Sequence, residues 1–284
     1  MAAPTRRERL RKATVAEIKD GARRLLVTGG VDAISLRAIA RDMGMTAPAI
    51  YRYFPSLDAL VSALAGDLYD ELRRCLEAAR DDAGPDPVDQ LLTMSRAFRA
   101  WSVAHPAEFG LIFGAPPPGR NAPVDDGEHP GARLGAVFVR PILDLWRRSP
   151  FRAPPGELLH RRLGGLLEPL RLSHGEVPVE VAYAFLSGWT RLYGLVAMEV
   201  FHQFDWAVTD TEALFELELE TFTAQLLHDP SPGGSRPAGA GSAAAGSAPD
   251  AAPVPGAVRA PDVAAPRRDA PAGGEGLTGG GPGQ

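Results

Sequence analysis

The sequence predicts an all-α protein, and three observations carry the prediction. Apolar residues recur at spacings of three and four through most of residues 13–227. Ser, Thr, Asp and Pro stand where such runs open, and Gly or Gly-Pro where they close. No stretch alternates with period two for long enough to form a strand.

Residues 5–12 read as an arginine-rich arm with Arg6, Arg7, Arg9, Arg11 and Lys12. A first helix spans about 13–27, with Val15, Ile18, Ala22, Leu25 and Leu26 inward, and Gly29-Gly30 ends it. Ser35 caps a short second helix whose buried face is Leu36, Ile39 and Ala40. Gly44 follows where a left-handed residue must close that helix. Thr46 caps a third helix, and Pro48 is tolerated within its first turn. That helix ends in Tyr51, Arg52, Tyr53 and Phe54, and it is too short to build a core of its own. Two short helices around a glycine turn, over 35–54, form the pattern by which a helix-turn-helix presents a recognition helix to the DNA major groove.

Each residue of that segment has a chemistry. The Thr46 hydroxyl suits a phosphate, with Ala47 and Pro48 at the same tip. Ala47 and Ala49 are small enough to approach base edges, and a methyl group there can meet a thymine methyl. Tyr51, Arg52 and Tyr53 reach further, and Arg37 on the preceding helix is placed for phosphate. Phe54 reads as core.

Ser56 caps a long helix to about Asp82, carrying Leu57, Leu60, Val61, Leu64, Leu68, Leu72 and Leu76. Gly84-Pro85 breaks it, and Asp86 with Pro87 opens the next, to about His105. Pro106 opens a short piece with Phe109, Ile112 and Phe113. Residues 114–131 read as a loop. Helices follow over about 132–148, with a kink expected at Pro141, and over about 156–172. A helix from Pro178 to about Phe204 is apolar over much of its circumference. A last helix opens at Thr209, with Glu212 completing a capping box, and ends near Leu227.

The net charge of −5 argues at first sight against nucleic acid, but its distribution reverses the argument. Residues 1–60 hold 11 Lys+Arg against 6 Asp+Glu, while residues 61–230 hold 15 against 25. A basic head on an acidic body fits a DNA-binding end joined to a part that stays off DNA. Of the 54 residues in 231–284, 40 are Gly, Ala, Pro or Ser, so this tail is expected to be disordered. Its Gly274-Glu275-Gly276-Leu277-Thr278-Gly279 matches the dinucleotide-binding fingerprint in letters only, lacking the strand and helix that motif needs.

Cys75 is the only cysteine and reads as a buried thiol. The six histidines lack metal-ligand spacing, and neither a Gly-x-Ser-x-Gly elbow nor a phosphate-binding loop is present. Neither catalysis nor a metal or other cofactor is expected. The amino terminus does not read as a signal peptide, and apolar runs fall short of the ~20 residues of a membrane span. A cytosolic, soluble protein without membrane partners is expected.

With those residues in view, the chain resembles the TetR family of transcriptional regulators. The matching features are Ile18 and Leu25 leading to Gly29; Ser35-Leu36-Arg37-Ala38-Ile39-Ala40; Gly44-Met45-Thr46; Ile50-Tyr51-Arg52-Tyr53-Phe54; and Leu57-Asp58-Ala59-Leu60. Many members place a phosphate-touching lysine where Leu57 stands; the arm arginines are the available substitute here. The body is similar to a subgroup with a Trp…His-Gly signature, here Trp189…Tyr193-Gly194 with tyrosine in place of histidine.

The resemblance implies three parts: a helix-turn-helix DNA-binding domain over 12–72, a regulatory and dimerisation domain over 73–229, and the tail. It implies a homodimer through the helices near 178–204 and 209–227, where Phe185, Trp189, Leu192, Val196 and Val200, with Leu214, Leu217, Phe222 and Leu226, exceed one apolar stripe. Phe98, Trp101, Phe113, Phe138, Trp189 and Tyr193 are the candidate lining of a pocket for a small, largely apolar effector, with Glu168, His105 and His202 as candidate polar groups. The expected function is a ligand-responsive regulator, a repressor that binds a pseudo-palindrome in double-stranded DNA. Two alternatives are an effector-independent regulator and a helical enzyme with a DNA-recruiting head.

Overall fold

The structure, a computed structural model, describes residues 5–114, 130–151, 153–173 and 177–227. They form α1 (Arg6–Gly29), α2 (Leu36–Asp42), α3 (Ala47–Ile50), α4 (Leu57–Asp82), α5 (Pro87–Ala104), α6 (Pro106–Phe113), α7 (Pro130–Arg148), α8 (Gly156–Ser173), α9 (Val179–Val200) and α10 (Thr211–Leu227), with one 3-10 turn at Val31–Ala33. No strand occurs among the described residues. Most of the loop expected over 114–131 and all of the tail lie outside them.

Most predicted caps hold. Ser35 Oγ accepts from the Ala38 N–H at 3.4 Å, Ser56 Oγ from Ala59 at 3.1 Å, and Asp86 Oδ1 from Val88 at 2.8 Å. Gly44 takes φ +65° and closes a Schellman turn in which the Met45 N–H reaches Ala40 O at 2.8 Å.

The arm is a correction. Thr5 and Glu8 form a full capping box, so the arginine-rich stretch is the opening of α1 and not a separate arm. Thr46 is a second correction: it starts α3 by backbone alone, with no side-chain cap bond. The third helix is one turn long, and its backbone bonding continues through turns to Tyr53 and Phe54. A further difference lies at α9, which ends at Val200 because His202 adopts φ +56° and its neighbour Gln203 bonds back to Met198 O at 2.7 Å. Finally, the Thr209–Glu212 box is absent. Asp210 Oδ1 accepts from the Ala213 N–H at 3.0 Å instead, and Glu212 faces Arg99 at 3.7 Å.

The core of the first three helices is Ile18, Ala22, Leu26, Ile34, Leu36, Ile39, Ile50 and Phe54. Gly21 lets α1 and α2 cross closely, since a Cβ there would stand 3.2 Å from Ile39 Cγ2. α4 buries Leu60, Leu64, Leu68, Leu72 and Leu76 along one stripe. At 1.5 Å per residue it is about 39 Å long, enough to pack on α1 at one end and on α5, α6 and α7 beyond. Pro141 sits buried inside α7. Cys75, read from the sequence as a buried thiol, is half-buried; partial burial raises its thiol above the ordinary pKa, with the nearby Glu71 charge acting in the same direction.

Candidate functional site

Ile50 and Phe54, both buried, anchor the segment that follows the glycine turn. Around those anchors Thr46, Ala47, Pro48, Tyr51 and Arg52 are exposed, and Ala49 and Tyr53 are half-buried. Arg37 is exposed on α2. The predicted contact residues therefore form one protruding set, with an apolar underside that fixes it to the chain. The Thr46 hydroxyl, free of a capping bond, remains open to a partner.

The electrostatics suit a polyanion. Among the described residues neither Arg37 nor Arg52 has an ion-pair partner, while Asp42 is engaged by Arg24 at 3.1 Å. Tyr53 is a more mixed case. The Arg11 guanidinium lies 5.4 Å from its ring centroid, so this tyrosine packs as well as presents its edge.

One guanidinium ties α1 to both α4 and α6. Arg23 on α1 donates to Glu71 on α4 at 2.7 and 3.2 Å and to Glu108 on α6 at 3.0 Å. Trp101 Nε1 donates to the same Glu71 at 3.1 Å, and the Trp101 ring stacks on His105. The Arg23 hydrogen bonds hold the Glu71 carboxyl below the usual range against the opposing effect of burial.

The six candidate pocket residues divide. Phe138 and Trp189 line a cavity of about 60 Å³ between α5, α7, α9 and α10. Phe98, Phe113 and Tyr193 pack on Phe109 in a continuous aromatic cluster beside it, which Trp189 joins through Phe98, Phe113 and Tyr193. Tyr193 Oη donates to Phe113 O at 3.0 Å, and Tyr69 Oη to Ile112 O at 2.7 Å, which fixes the end of α6 to α9 and α4. Burial raises the Tyr69 pKa to about 12, so it stays a donor. Trp101 stands apart, in the Glu71 network. Of the candidate polar groups, His105 Nδ1 is 2.8 Å from Trp101 O, His202 is exposed in the turn after α9, and the Glu168 side chain lies outside what is described.

Sequence reasoning missed Phe215 and Glu218 and assigned Phe222 to the dimer face, whereas all three line the cavity from α10; it also missed Gly188, where a Cβ would stand 2.9 Å from Phe222. Their signal was present: all three α10 residues share one helical stripe.

The two helical parts of the chain have known relatives. Residues 18–64 match the model of the bacterial regulatory proteins, tetR family, and residues 91–222 match the tetracyclin repressor-like C-terminal domain. The HTH-type transcriptional regulator Rv1816 of Mycobacterium tuberculosis is 31% identical over 225 residues, covering 78% of this chain and 95% of that one. The HTH-type regulator BetI of Stenotrophomonas maltophilia is 34% identical over 88 residues, 31% of this chain and 41% of that one. The solved structure of the regulatory protein SCO4313 is 36% identical with TM-score 0.63, covering 77% and 98%. A Rhodococcus sp. RHA1 protein of unknown function, 18% identical with TM-score 0.57 over 75% and 95%, shares the fold. The matched families and the named regulators act in transcription and are not enzymes. Among the described residues no helix is long and apolar enough to cross a membrane.

Proposed function

The chain belongs to the TetR family of DNA-binding transcriptional regulators, and from that premise we propose a ligand-responsive repressor that grips a pseudo-palindromic operator as a homodimer. Residues 12–72 are its DNA-binding domain and 73–229 its regulatory and dimerisation domain. One observation carries the DNA contact: the exposed set Thr46, Ala47, Pro48, Tyr51 and Arg52 stands on the buried pair Ile50 and Phe54, with Arg37 and Arg52 unpaired among the described residues. Ala49 and Tyr53 complete the contact. Two copies place such segments in successive major grooves, about 34–36 Å apart.

The homodimer is supported by outward apolar stripes that an isolated chain has no use for. α9 exposes Leu186 and Met198, α10 exposes Leu217 and Leu227, and Trp206 in the turn between them is 88% exposed. This stripe differs from the residues the sequence singled out, since Phe185, Val196, Val200 and Leu226 turn inward. The effector reading rests on the cavity with Phe138 and Trp189 and on the neighbouring Phe98, Phe113 and Tyr193, with Trp101 linking to the Arg23 network. α4 joins head to body, so a ligand that fits only the DNA-incompetent arrangement shifts the population away from DNA. Coupling of about 1–3 kcal/mol changes operator affinity about 5–150-fold.

Selection of bound duplexes with the full chain tests this. Two inverted half-sites about one helical turn apart are expected; a single unrepeated site, or indifference to sequence at every salt concentration, overturns the dimeric operator. A second reading, a regulator without an effector, is favoured by the ring-on-ring packing of Phe98, Phe109 and Phe113. Thermal shifts across a small-molecule library separate the two.

A further inference from the structure

Phe215, Glu218, Phe222 and Leu226 recur at three- and four-residue steps on α10, on its inward stripe. Phe215 and Leu226 are buried, and Glu218 is half-buried among them. The two acidic residues that precede it on α10 are engaged: Glu212 faces Arg99, and Glu216 takes a bidentate bond from Arg96. Glu218 has no hydrogen-bond or ion-pair partner among the described residues. It lines the cavity together with Phe138, Phe185, Trp189, Phe215 and Phe222. A carboxylate partly withdrawn from water, without a partner, costs free energy that a positive charge would offset.

The other charged side chain at this cavity is Arg191, and it is exposed, so solvent screens its charge more than that of the half-buried Glu218. It donates to Gln225 Oε1 at 3.0 Å, and its guanidinium lies 5.4 Å from the Phe222 ring centroid. Aromatic faces attract cations, and the cavity is walled by five rings. We infer that this cavity receives the positively charged end of an organic cation, with Glu218 as its counter-charge; the inference rests on the effector-responsive reading above. The enclosed space of about 60 Å³ suits a head group only. The rest of the molecule lies in the open groove of about 1110 Å³ that shares Arg191 and Phe222 with the cavity and is lined by Phe151, Tyr183 and Leu226. That is the scale of a drug-sized ligand site.

The test uses the full chain with three probes of similar size: benzyltrimethylammonium, 2-methyl-1-phenyl-2-propanol (the alcohol) and phenylacetate. Binding is followed by calorimetry and by tryptophan fluorescence, with Trp189→Phe identifying the reporting ring. The cation is expected to bind, and Glu218→Gln to weaken it about tenfold or more, a loss of one charge interaction. Asp82→Asn, exposed at the end of α4, is expected to leave it unchanged. Equal or tighter binding of the alcohol or the anion overturns the charge assignment, as does cation affinity indifferent to Glu218→Gln. Absence of cation binding at millimolar concentration overturns the site, while intact operator binding in the same sample leaves the DNA reading standing. A cation that binds through Glu218 without loosening the operator complex supports the site and counts against its role as an effector pocket.

Discussion

Arg23 Nε lies 3.0 Å from Glu108 Oε1, so a single guanidinium on α1 reaches a nearly buried carboxylate on α6 while its other nitrogens hold Glu71 on α4. Three helices that belong to head, connector and body meet at one charge. The Glu108 side chain is 5% exposed, which makes it dependent on that cation.

Arg23→Ala therefore removes three charge-assisted hydrogen bonds and strands Glu108. We expect a loss of about 1–3 kcal/mol, with solvent screening of the 31% exposed Arg23 side chain keeping the effect below that of a fully buried pair. Urea unfolding followed by circular dichroism measures it. Glu108→Gln, which keeps the shape and relieves the buried charge, should cost less; equal losses would refute the ordering.

The same network sets an acid response. Arg23 holds the Glu71 carboxyl low, burial opposes and Trp101 assists. Arg96 likewise holds Glu216 low. A carboxylate depressed in the folded state contributes stability that is present above its unfolded value of about 4.3 and is lost as pH falls through the folded value. The urea midpoint should hold between pH 7 and about 5.5 and drop below about 4.5, and the drop should shrink in Arg23→Ala. A midpoint that climbs on acidification contradicts the sign.

What the sequence made legible was local. Ser35, Gly44, Ser56 and Asp86 act on backbone groups two to four residues away, so their spacing alone reveals helix ends. The same logic reads Phe54 as the buried underside of the contact segment; the structure adds Ile50 to it, with Thr46, Ala47, Pro48, Tyr51 and Arg52 exposed. It failed where the wrong residue type does the work. His202 sits in a left-handed turn that ordinarily advertises itself by glycine, so α9 seemed to run on to Phe204. It failed also across long separations: that Trp101 donates to Glu71 and not into a pocket depends on α4 and α5 packing. Glu218 is hard to read from sequence because the aromatic residues concentrate on α5–α9, although its own helical stripe marks it inward.

His202 leads to a stability prediction. A side chain at φ +56° costs roughly 1 kcal/mol that glycine avoids. His202→Gly should raise the melting temperature by a few degrees, at about 0.5–1 kcal/mol. Its contact with Asp205, with Nδ1 3.4 Å from Oδ2, is exposed and subtracts little. A lowered melting temperature would mean that the turn gains more from the imidazole than its backbone loses.

DNA binding should separate into charge and shape. Arg37→Ala and Arg52→Ala each remove a cation unpaired among the described residues, and each should lower the log–log salt slope by about 0.9 if it touches phosphate. Thr46→Ala should weaken binding by about tenfold with the slope intact, since it removes a neutral hydroxyl. Gel-shift titrations at several salt concentrations resolve these outcomes, with the oligomeric state checked by sedimentation. Wild-type affinity in all three variants would dismiss the segment as the recognition element.

The dimer prediction turns on Leu217. It is 60% exposed at mid-helix on α10, flanked by the exposed Ala213, Glu220 and Thr221. On α9 the stripe of Leu186, Thr190 and Met198 has Gly194 between its members, where an added Cβ would meet nothing within 4 Å. Small residues between larger ones let a second pair of helices approach, and a leucine at the centre then fills the gap. Leu217→Arg puts a charge where desolvation is greatest, while the monomer loses no internal contact of a buried side chain. The dimer should weaken by about 30-fold or more, as for a central contact residue, with unfolding midpoint nearly unchanged at concentrations where both proteins are monomeric. Operator affinity should fall with it, because two half-sites then no longer share one binding event. Leu158→Arg, at an exposed position of α8, serves as the control. If Leu217→Arg remains dimeric while Leu158→Arg dissociates, the interface lies on α8 and the pairing of α9 with α10 is wrong.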